Sequence, residues 1–426
     1  MKPVLRGGGA DVFHHLVDAT IRRNGGPGSL GQVILRCQPD PDPVAIARGL
    51  ARLAADARPL GARCRWSWRG VRWQLLGPAP LSVESGPDLE ALAGEHLHRP
   101  LAEGCGLRLG LGPGGVVLTW DHRLLDARGA MGLLTALPGL AAGGRLGERW
   151  WAADYRELPE LPAPTAHRGR LARNLLPLLR PTRLATLWRP RHGGAAAPLV
   201  IHDLRLDAGE TALLDSRIRQ VAGRFGETAF LLAALAGALE SLGGARGDFL
   251  FPLAVDARPA GDPRRLANCH GFTMLLLAVG RATTDFSRAV AELKAAQRAW
   301  LAADGLRAMT SSLTFFPLLG QRLARAQLGN FRAGLSATCL IANTAQSRLP
   351  DTWFGSTVLG LDHRVSLPHA PGLAVLFNRD LRGAGATIIA TGPVATDLPP
   401  AALGVALRQQ LLVRPLTAGG DAAGLG

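Results

Sequence analysis

Residues 120–129, with the sequence WDHRLLDARG, carry the side chains best suited to chemistry in this chain. His122 directly follows an apolar run at 115–120, and Asp126 stands four positions after the histidine. Such an apolar run favours a buried strand, and the end of a strand exposes side chains to a cleft. A neutral imidazole is the usual general base near pH 7. The spacing therefore indicates a proton-accepting histidine; a core or surface histidine beside an unrelated loop aspartate is the alternative interpretation.

Strand and helix patterns alternate on both sides of this segment. Period-2 and buried apolar runs predict strands at 30–36, 63–76 (a strand pair), 115–120, 199–206, 249–255, 373–377 and 386–390. Helical spacing of apolar residues predicts helices at 43–55, 128–137, 228–242, 285–301 and 400–412. A further helix is predicted to begin at Asp207, with Glu210 three residues on as an acidic capping box. Because strands and helices mix in both halves, we predict an α/β fold with two lobes.

A proline- and arginine-rich stretch separates the two halves. Seven prolines between residues 158 and 198 break the helical and strand patterns, which is typical of a connector. We therefore predict an N-terminal lobe at 1–157, a connector at 158–198 and a C-terminal lobe at 199–426.

Composition excludes several classes of protein. The 426 residues are 47% hydrophobic and 19% charged, which is not the composition of a disordered chain. No apolar run reaches the 18 residues of a membrane span, and no apolar stretch of a signal peptide follows the N-terminus, so we expect a cytoplasmic protein. The five cysteines form no CxxC pair, and neither GxGxxG after a strand, GxxxxGK[ST] nor HExxH occurs. We therefore expect no metal site and no tightly bound cofactor.

The segment around His122 resembles the HHxxxDG motif of the chloramphenicol-acetyltransferase-like acyltransferases, which include condensation domains and wax ester synthase/diacylglycerol acyltransferases. Further family-like segments occur in the family's order across nearly the whole chain. They lie at 98–109, 227–242, 251–259, 266–271, 341–344 and 354–377.

The resemblance implies two similar lobes, each a mixed sheet with helices, that form a V with a tunnel at their interface. It assigns the general base to His122, which would deprotonate a hydroxyl or amine that attacks an acyl thioester. Asp126 and Arg258 would pair and support the loop, and Asn343 would lie near the active centre. The donor would be acyl-CoA or a phosphopantetheinyl carrier protein, and the acceptor a small molecule.

Two positions depart from the family motif. Asp121 replaces the first histidine, where its charge could raise the pKa of His122. Ala127 replaces the glycine after the aspartate, so its Cβ could narrow the tunnel, and Gly129 comes two residues late. The alternative function is therefore a non-catalytic condensation-like protein that acts as a binding or scaffold partner in an acyl or peptide assembly line.

Three other segments contain histidines that are further candidates for the site. The sequence FHHLVD at 13–18 has its histidine one residue too close to the aspartate and follows no apolar strand, so we interpret it as an imitation of the motif, with lining of the tunnel as the alternative. The triplet at 362–364 repeats DHR without the following aspartate, and His270 neighbours a family-like turn.

The net charge of +15 has several interpretations. All but two of the cations are arginines, which is consistent with coding bias, and no nucleic-acid-binding motif occurs, so we expect no nucleic-acid partner. The densest arginine cluster, at 168–191, is either a solvated crossover, a peripheral membrane contact, or a docking surface for a carrier protein or CoA phosphates.

Overall fold

The computed structural model describes residues 4–6, 9–67, 70–146, 184–185, 198–243, 247–256, 258, 270–306, 308, 337–344, 350–368 and 371–413. Nearly all of the predicted connector, including the arginine cluster at 168–191, lies outside these residues, as does most of the turn at 266–271. The docking and membrane interpretations of the cluster therefore stay predictions.

Fifteen strands are present in the described residues. In chain order they are β1 (Val4–Arg6), β2 (Leu30–Gln38), β3 (Ala62–Ser67), β4 (Gly70–Leu75), β5 (Val83–Ser85), β6 (Leu107–Gly112), β7 (Gly115–Asp121), β8 (Val200–Arg205), β9 (Asp248–Asp256), β10 (His270–Ala278), β11 (Leu340–Asn343), β12 (Thr352–Trp353), β13 (Ser356–Val365), β14 (Leu373–Asp380) and β15 (Gly383–Ala390).

Helices lie between the strands throughout the described part of the chain. They are α1 (Gly9–Arg23), α2 (Pro43–Asp56), α3 (Leu89–His98), α4 (Ala127–Ala141), α5 (Ala208–Ala222), α6 (Glu227–Ser241), α7 (Arg281–Thr284), α8 (Phe286–Ala302), α9 (Gly392–Asp397) and α10 (Pro400–Leu412), with a 3-10 turn at Arg58–Gly61. The predicted capping box at α5 is confirmed, since Asp207 accepts from the Glu210 N–H and Glu210 from the Asp207 N–H.

Two six-stranded mixed sheets organise the molecule. The first has the strand order β12-β13-β2-β7-β6-β5 and the second β10-β9-β11-β14-β15-β8. A small third sheet, β1-β4-β3, contains the predicted strand pair at 63–76. The larger sheets each bury a core: α1, α2 and α4 contribute to the core of the first, and α5, α6, α8 and α10 to that of the second. The α/β prediction, and every strand and helix predicted from pattern, are confirmed.

Two strands from the C-terminal half of the chain, β12 and β13, belong to the first sheet. β13 pairs antiparallel with β2, from Thr357 opposite Gln38 to Val365 opposite Gly31. Ser366 extends this contact, since the Leu30 N–H donates to its Oγ over 2.7 Å. The lobe boundaries at 157 and 199 stay a prediction, and the first sheet includes β12 and β13 from beyond residue 199.

Within the described residues, no single helix has the length and apolarity of a membrane span; α5 and α6 pass that test only as a pair bent by 102°.

Candidate active site

A cavity of about 360 Å³ lies between the two six-stranded sheets. From the first sheet's side come residues of α1, the end of β7, the turn that follows it, the start of α4 and the end of β13. From the second come residues of β9, β10, β11 and β14, with one residue each from α6 and α8. The volume falls within the range of small-molecule sites.

His122 lies in this cavity at the end of β7. All seven residues of β7 are buried, so the strand is a rigid support for the histidine that follows it. The His122 N–H donates to the Ser29 carbonyl over 2.9 Å, which fixes its backbone beside β2. Its ring stacks on that of His14 with centroids 4.2 Å apart, and the Trp120 ring lies at 6.2 Å. Strand, backbone and rings together fix the orientation of the imidazole.

The turn after His122 is closed by its own hydrogen bonds. The N–H groups of Leu124 and Leu125 both donate to the Asp121 carbonyl. The Trp120 indole Nε1–H donates to the Leu125 carbonyl over 2.9 Å. Asp126 then caps α4, because its Oδ1 accepts from the Gly129 N–H over 2.8 Å. The turn therefore has one defined shape between strand and helix.

A buried ion pair joins this turn to the second sheet. Arg258, just beyond β9, donates to both carboxylate oxygens of Asp126, over 2.7 and 3.0 Å. The two side chains are only 3% and 8% exposed, so the pair is largely shielded from solvent. Arg258 also contacts Asp256, and Arg128 contacts the other oxygen of that carboxylate. Two carboxylates and two guanidinium groups thus balance in charge at this edge of the cavity.

Asp121 has a separate partner in the same turn. Arg123 donates to both of its carboxylate oxygens, over 2.6 to 3.1 Å, and also reaches Asp18 of α1. Burial alone raises the pKa of Asp121, but the Arg123 guanidinium outweighs burial and holds that pKa below its ordinary value. The carboxylate is therefore ionised and anchors the turn to α1, and its predicted effect on the pKa of His122 stays a prediction.

The structure separates the predicted site residues into two groups. His122, Asp126, Ala127, Arg258 and Asn343 all line the cavity. Two others, Asp121 and Gly129, are among the buried residues behind its wall and do not line it. Their catalytic and supporting roles stay predictions.

Two histidines set aside in the sequence also line the cavity. His14 of α1, from the FHHLVD segment, lies against His122, so the alternative interpretation of tunnel lining describes it better than imitation. His363 of β13, from the second DHR triplet, is a further residue of the lining. Both depend on long-range packing, and the only sequence signal for either was the histidine itself.

His96 and His98 do not line the cavity. His96 is buried with Nε2 at 3.2 Å from Glu84, and His98 Nδ1 contacts the Gly94 carbonyl. For His270 only the backbone is described, opposite Asp256 in the sheet. No group of three or more His, Cys, Asp or Glu side chains in the described ranges could hold a metal ion.

Comparisons with known proteins give a match in structure only. The chain matches no protein-family model and no curated protein. The first condensation domain of the CDA synthetase superposes with a TM-score of 0.70 at 17% identity, over 96% of this chain and 97% of that one. Trichothecene 15-O-acetyltransferase from Fusarium sporotrichioides gives a TM-score of 0.67 at 14% identity, over 96% of each chain. The X-domain from teicoplanin biosynthesis gives 0.60 at 16% identity, over 96% of this chain and 95% of that one.

At these identities the similarity shows the fold. The chain has the two-lobed fold shared by condensation domains and this acetyltransferase, so the predicted chloramphenicol-acetyltransferase-like fold is confirmed. Fold alone does not assign an activity, and the function must be argued from the site.

Proposed function

We propose that this protein is an acyltransferase that moves an acyl group from a CoA or carrier-protein thioester to a hydroxyl or amine, with His122 as the general base. The observation that carries the proposal is the imidazole of His122, which lies at the end of a buried strand inside a cavity between two sheets. The similarity to an acetyltransferase and to condensation domains supports the same class of reaction.

The proposed reaction begins with proton transfer to His122. Its Nδ1 atom is buried, which leaves Nε2 as the atom that meets the substrate. Nε2 accepts the acceptor's O–H or N–H proton as that oxygen or nitrogen forms a bond to the thioester carbonyl carbon. The tetrahedral intermediate then collapses, the carbon–sulfur bond breaks, and the imidazolium returns the proton to the leaving thiolate. Ester or amide and free thiol are the products.

The other residues serve this step by position. The Asp126–Arg258 pair holds the His122 turn against the second sheet, so the base stays fixed relative to both walls of the cavity. The His14 ring lies parallel to the His122 ring at 4.2 Å and limits its rotation. Asn343, at the end of β11, lines the opposite wall.

The experiment compares the wild type with His122→Ala. Candidate hydroxyl and amine acceptors are incubated with acetyl-CoA, octanoyl-CoA or an acylated carrier protein, and product is measured by intact mass. General-base catalysis contributes about 10²- to 10⁴-fold, so His122→Ala should lose activity on that scale. His98→Ala, on the exposed end of α3, is the matched control and should keep full activity. Transfer that is unaffected by His122→Ala would show that His122 is not the base.

A second candidate is a non-catalytic binding partner in an acyl or peptide assembly line. The observation that favours it is Ala127, whose side chain adds a methyl group to the cavity wall where the resembling motif has glycine. A wild type that binds an acyl carrier protein in calorimetry, yet transfers no acyl group from any donor, would support this candidate over the enzyme.

A further inference from the structure

Four rings form a continuous row along one side of the cavity. The His14 ring lies between two others, with its centroid 4.2 Å from that of His122 and 5.2 Å from that of Phe13. The Phe272 ring then meets Phe13 edge-on, with centroids 4.9 Å apart. All four residues line the cavity. Because the row begins at the end of β7 and finishes on β10, it crosses from the first sheet to the second.

Phe272 marks the place where the cavity ends on β10. This strand lies at an edge of the second sheet, and Phe272 is its one described residue in the cavity lining. Met274 lies on the same face two residues on, but it is buried in a small apolar cluster with Leu250 and Trp300. Phe272 packs both against this cluster and against the core of the first sheet. Its ring therefore lies between the cavity and an apolar cluster behind it.

The second sheet presents apolar side chains to the rest of the cavity. Side chains alternate between the faces of a strand, and Leu253, Ile341 and Val375 point to the core on the opposite face. The residues that alternate with them line the cavity and are all apolar: Pro252, Ala254, Leu340, Ala342, Ala374 and Leu376.

The charged side chains of the cavity leave no counter-charge for a ligand. They are already in ion pairs: Asp126 with Arg258, Asp256 with Arg128, and Arg364 with Glu90. A further charge on a ligand would lie buried without compensation, which is costly. The lining therefore suits an uncharged apolar group.

We propose that the cavity holds an uncharged apolar chain of the substrate, which runs from His122 to the contact between Phe13 and Phe272, and that these two rings set the longest chain that fits. This inference rests on the proposed function, since it places the reacting group beside His122. The chain is either the acyl group of the donor or the alkyl part of the acceptor, and both present the same apolar surface to the rings. Phe13 and Phe272 are thus specificity-determining residues that take no part in the proton transfer.

Binding calorimetry without turnover tests the wild type with two homologous series. The donor series consists of N-acetylcysteamine thioesters from acetyl to dodecanoyl, and the acceptor series of 1-alkanols from butanol to decanol. In at least one series, affinity should rise about fourfold with each buried methylene group and stop rising at the chain length that meets the rings. The series with this break identifies which substrate carries the chain. No binding in either series, or affinity that rises to the longest member of both, would overturn the proposal.

Phe272→Ala then connects the length limit to the ring. The variant removes six carbon atoms and opens the cavity toward Met274, so the break should move to a chain longer by about two or more methylene groups. Phe272→Leu removes three carbon atoms and should move the break by a smaller step, which covers the case in which the alanine variant does not fold. A break at the wild-type length in the folded variants would overturn the proposal.

Phe354→Ala is the matched control. Phe354 is also partly buried against the core of the first sheet and meets Trp353 edge-on, with centroids 4.6 Å apart, but it does not line the cavity. The break should therefore stay at the wild-type length, and a shift as large as that of Phe272→Ala would overturn the assignment to the cavity rings.

The two proposals fail in different ways. A break that moves in Phe272→Ala, in a protein that transfers no acyl group, would contradict the acyltransferase proposal and leave the length limit intact. Acyl transfer that requires His122 but shows the same length dependence in the wild type and in Phe272→Ala would do the reverse.

Discussion

The two walls of the cavity differ in chemistry although each is built on a six-stranded sheet. The wall on the first sheet carries three imidazoles, those of His14, His122 and His363. In the described residues, the wall on the second sheet is mainly apolar, with side chains such as Leu340 and Leu376. The difference indicates a division of labour, in which the first wall handles protons and hydrogen bonds and the second gives the cavity its shape. Changes in the two walls should therefore have different consequences.

The largest effect after loss of His122 itself is expected where the two walls are joined. Arg258→Met leaves the Asp126 carboxylate buried without its main counter-charge, which should lower the free energy of unfolding by about 3–5 kcal/mol. Urea denaturation followed by fluorescence measures this loss. Arg128→Met is the control, because Arg128 is 40% exposed and its pair with Asp256 should contribute about 1 kcal/mol or less.

The Asp126→Asn, Arg258→Met double variant sharpens the comparison. Because the two residues contact each other, the double variant should lose less free energy of unfolding than the sum of the losses of the two single variants. Strict additivity would mean that the ion pair does not join the walls energetically.

A change in the apolar wall should alter selectivity more than catalysis. Ala254 of β9 is partly exposed to the cavity, so Ala254→Leu adds three carbon atoms to the space available for substrate. We expect the kcat/KM ratio of octanoyl to acetyl donors to fall about tenfold, mainly through KM. Ala51→Leu, on the exposed face of α2, should leave the ratio unchanged. An equal fall in kcat for both donors would place Ala254 in the chemistry rather than in the shape.

A second contact between the sheets should lose its stabilising effect at low pH. Asp380 of β14 accepts hydrogen bonds from Arg382 and from the Leu361 N–H of β13. Burial alone raises the pKa of Asp380, but these bonds and the nearby Arg205 hold it below its ordinary value. The folded state therefore binds fewer protons at this site than the unfolded chain. The stabilisation is fully present above the unfolded pKa of about 4 and is lost as the pH falls through the lower folded value.

Asp380→Asn tests this junction. At pH 7 the variant should melt a few degrees below the wild type, which corresponds to a loss of about 1 kcal/mol in the free energy of unfolding. Both differences should shrink toward pH 3. Thermal denaturation at pH 7, 5 and 3 makes the comparison, with exposed Asp351→Asn as the control. A difference that does not depend on pH would show that charge is not what Asp380 contributes.

The smallest effect is expected at His14. His14→Phe keeps a ring stacked on His122 and removes two nitrogens, so kcat/KM should change by about threefold or less. His14→Ala removes the stacked ring as well, so its kcat/KM should fall further than that of His14→Phe. If the phenylalanine variant loses as much as the alanine variant, His14 acts through its nitrogens and belongs to the chemistry of the first wall.

Local signals in the sequence were sufficient for most of the fold. The helix at Glu227–Ser241 is apolar from Ala229 to Leu239, and the strand at Gly115–Asp121 is apolar from Gly115 to Leu118. Asp207 with Glu210 marks a helix start by itself. Such patterns involve residues close in sequence, so they can be interpreted without tertiary structure. The fold class required the ordered resemblance as well.

Long-range placement was the part that local patterns could not supply. His122 was singled out because a strand ends beside it, but His14 reaches the cavity only because α1 packs against the first sheet. His363 reaches it only because β13 pairs with a strand more than three hundred residues earlier. Nothing in the residues around 13–18 or 362–364 specifies those partners.

The crossing of β13 also sets the order in which the molecule can be completed. During synthesis β2 emerges early, whereas the strand that covers one of its edges is 336 residues away, measured from Leu30 to Ser366. Until then the first sheet presents an unpaired edge, the feature through which nascent chains associate wrongly. Completion of the first sheet thus depends on a strand from the last quarter of the chain.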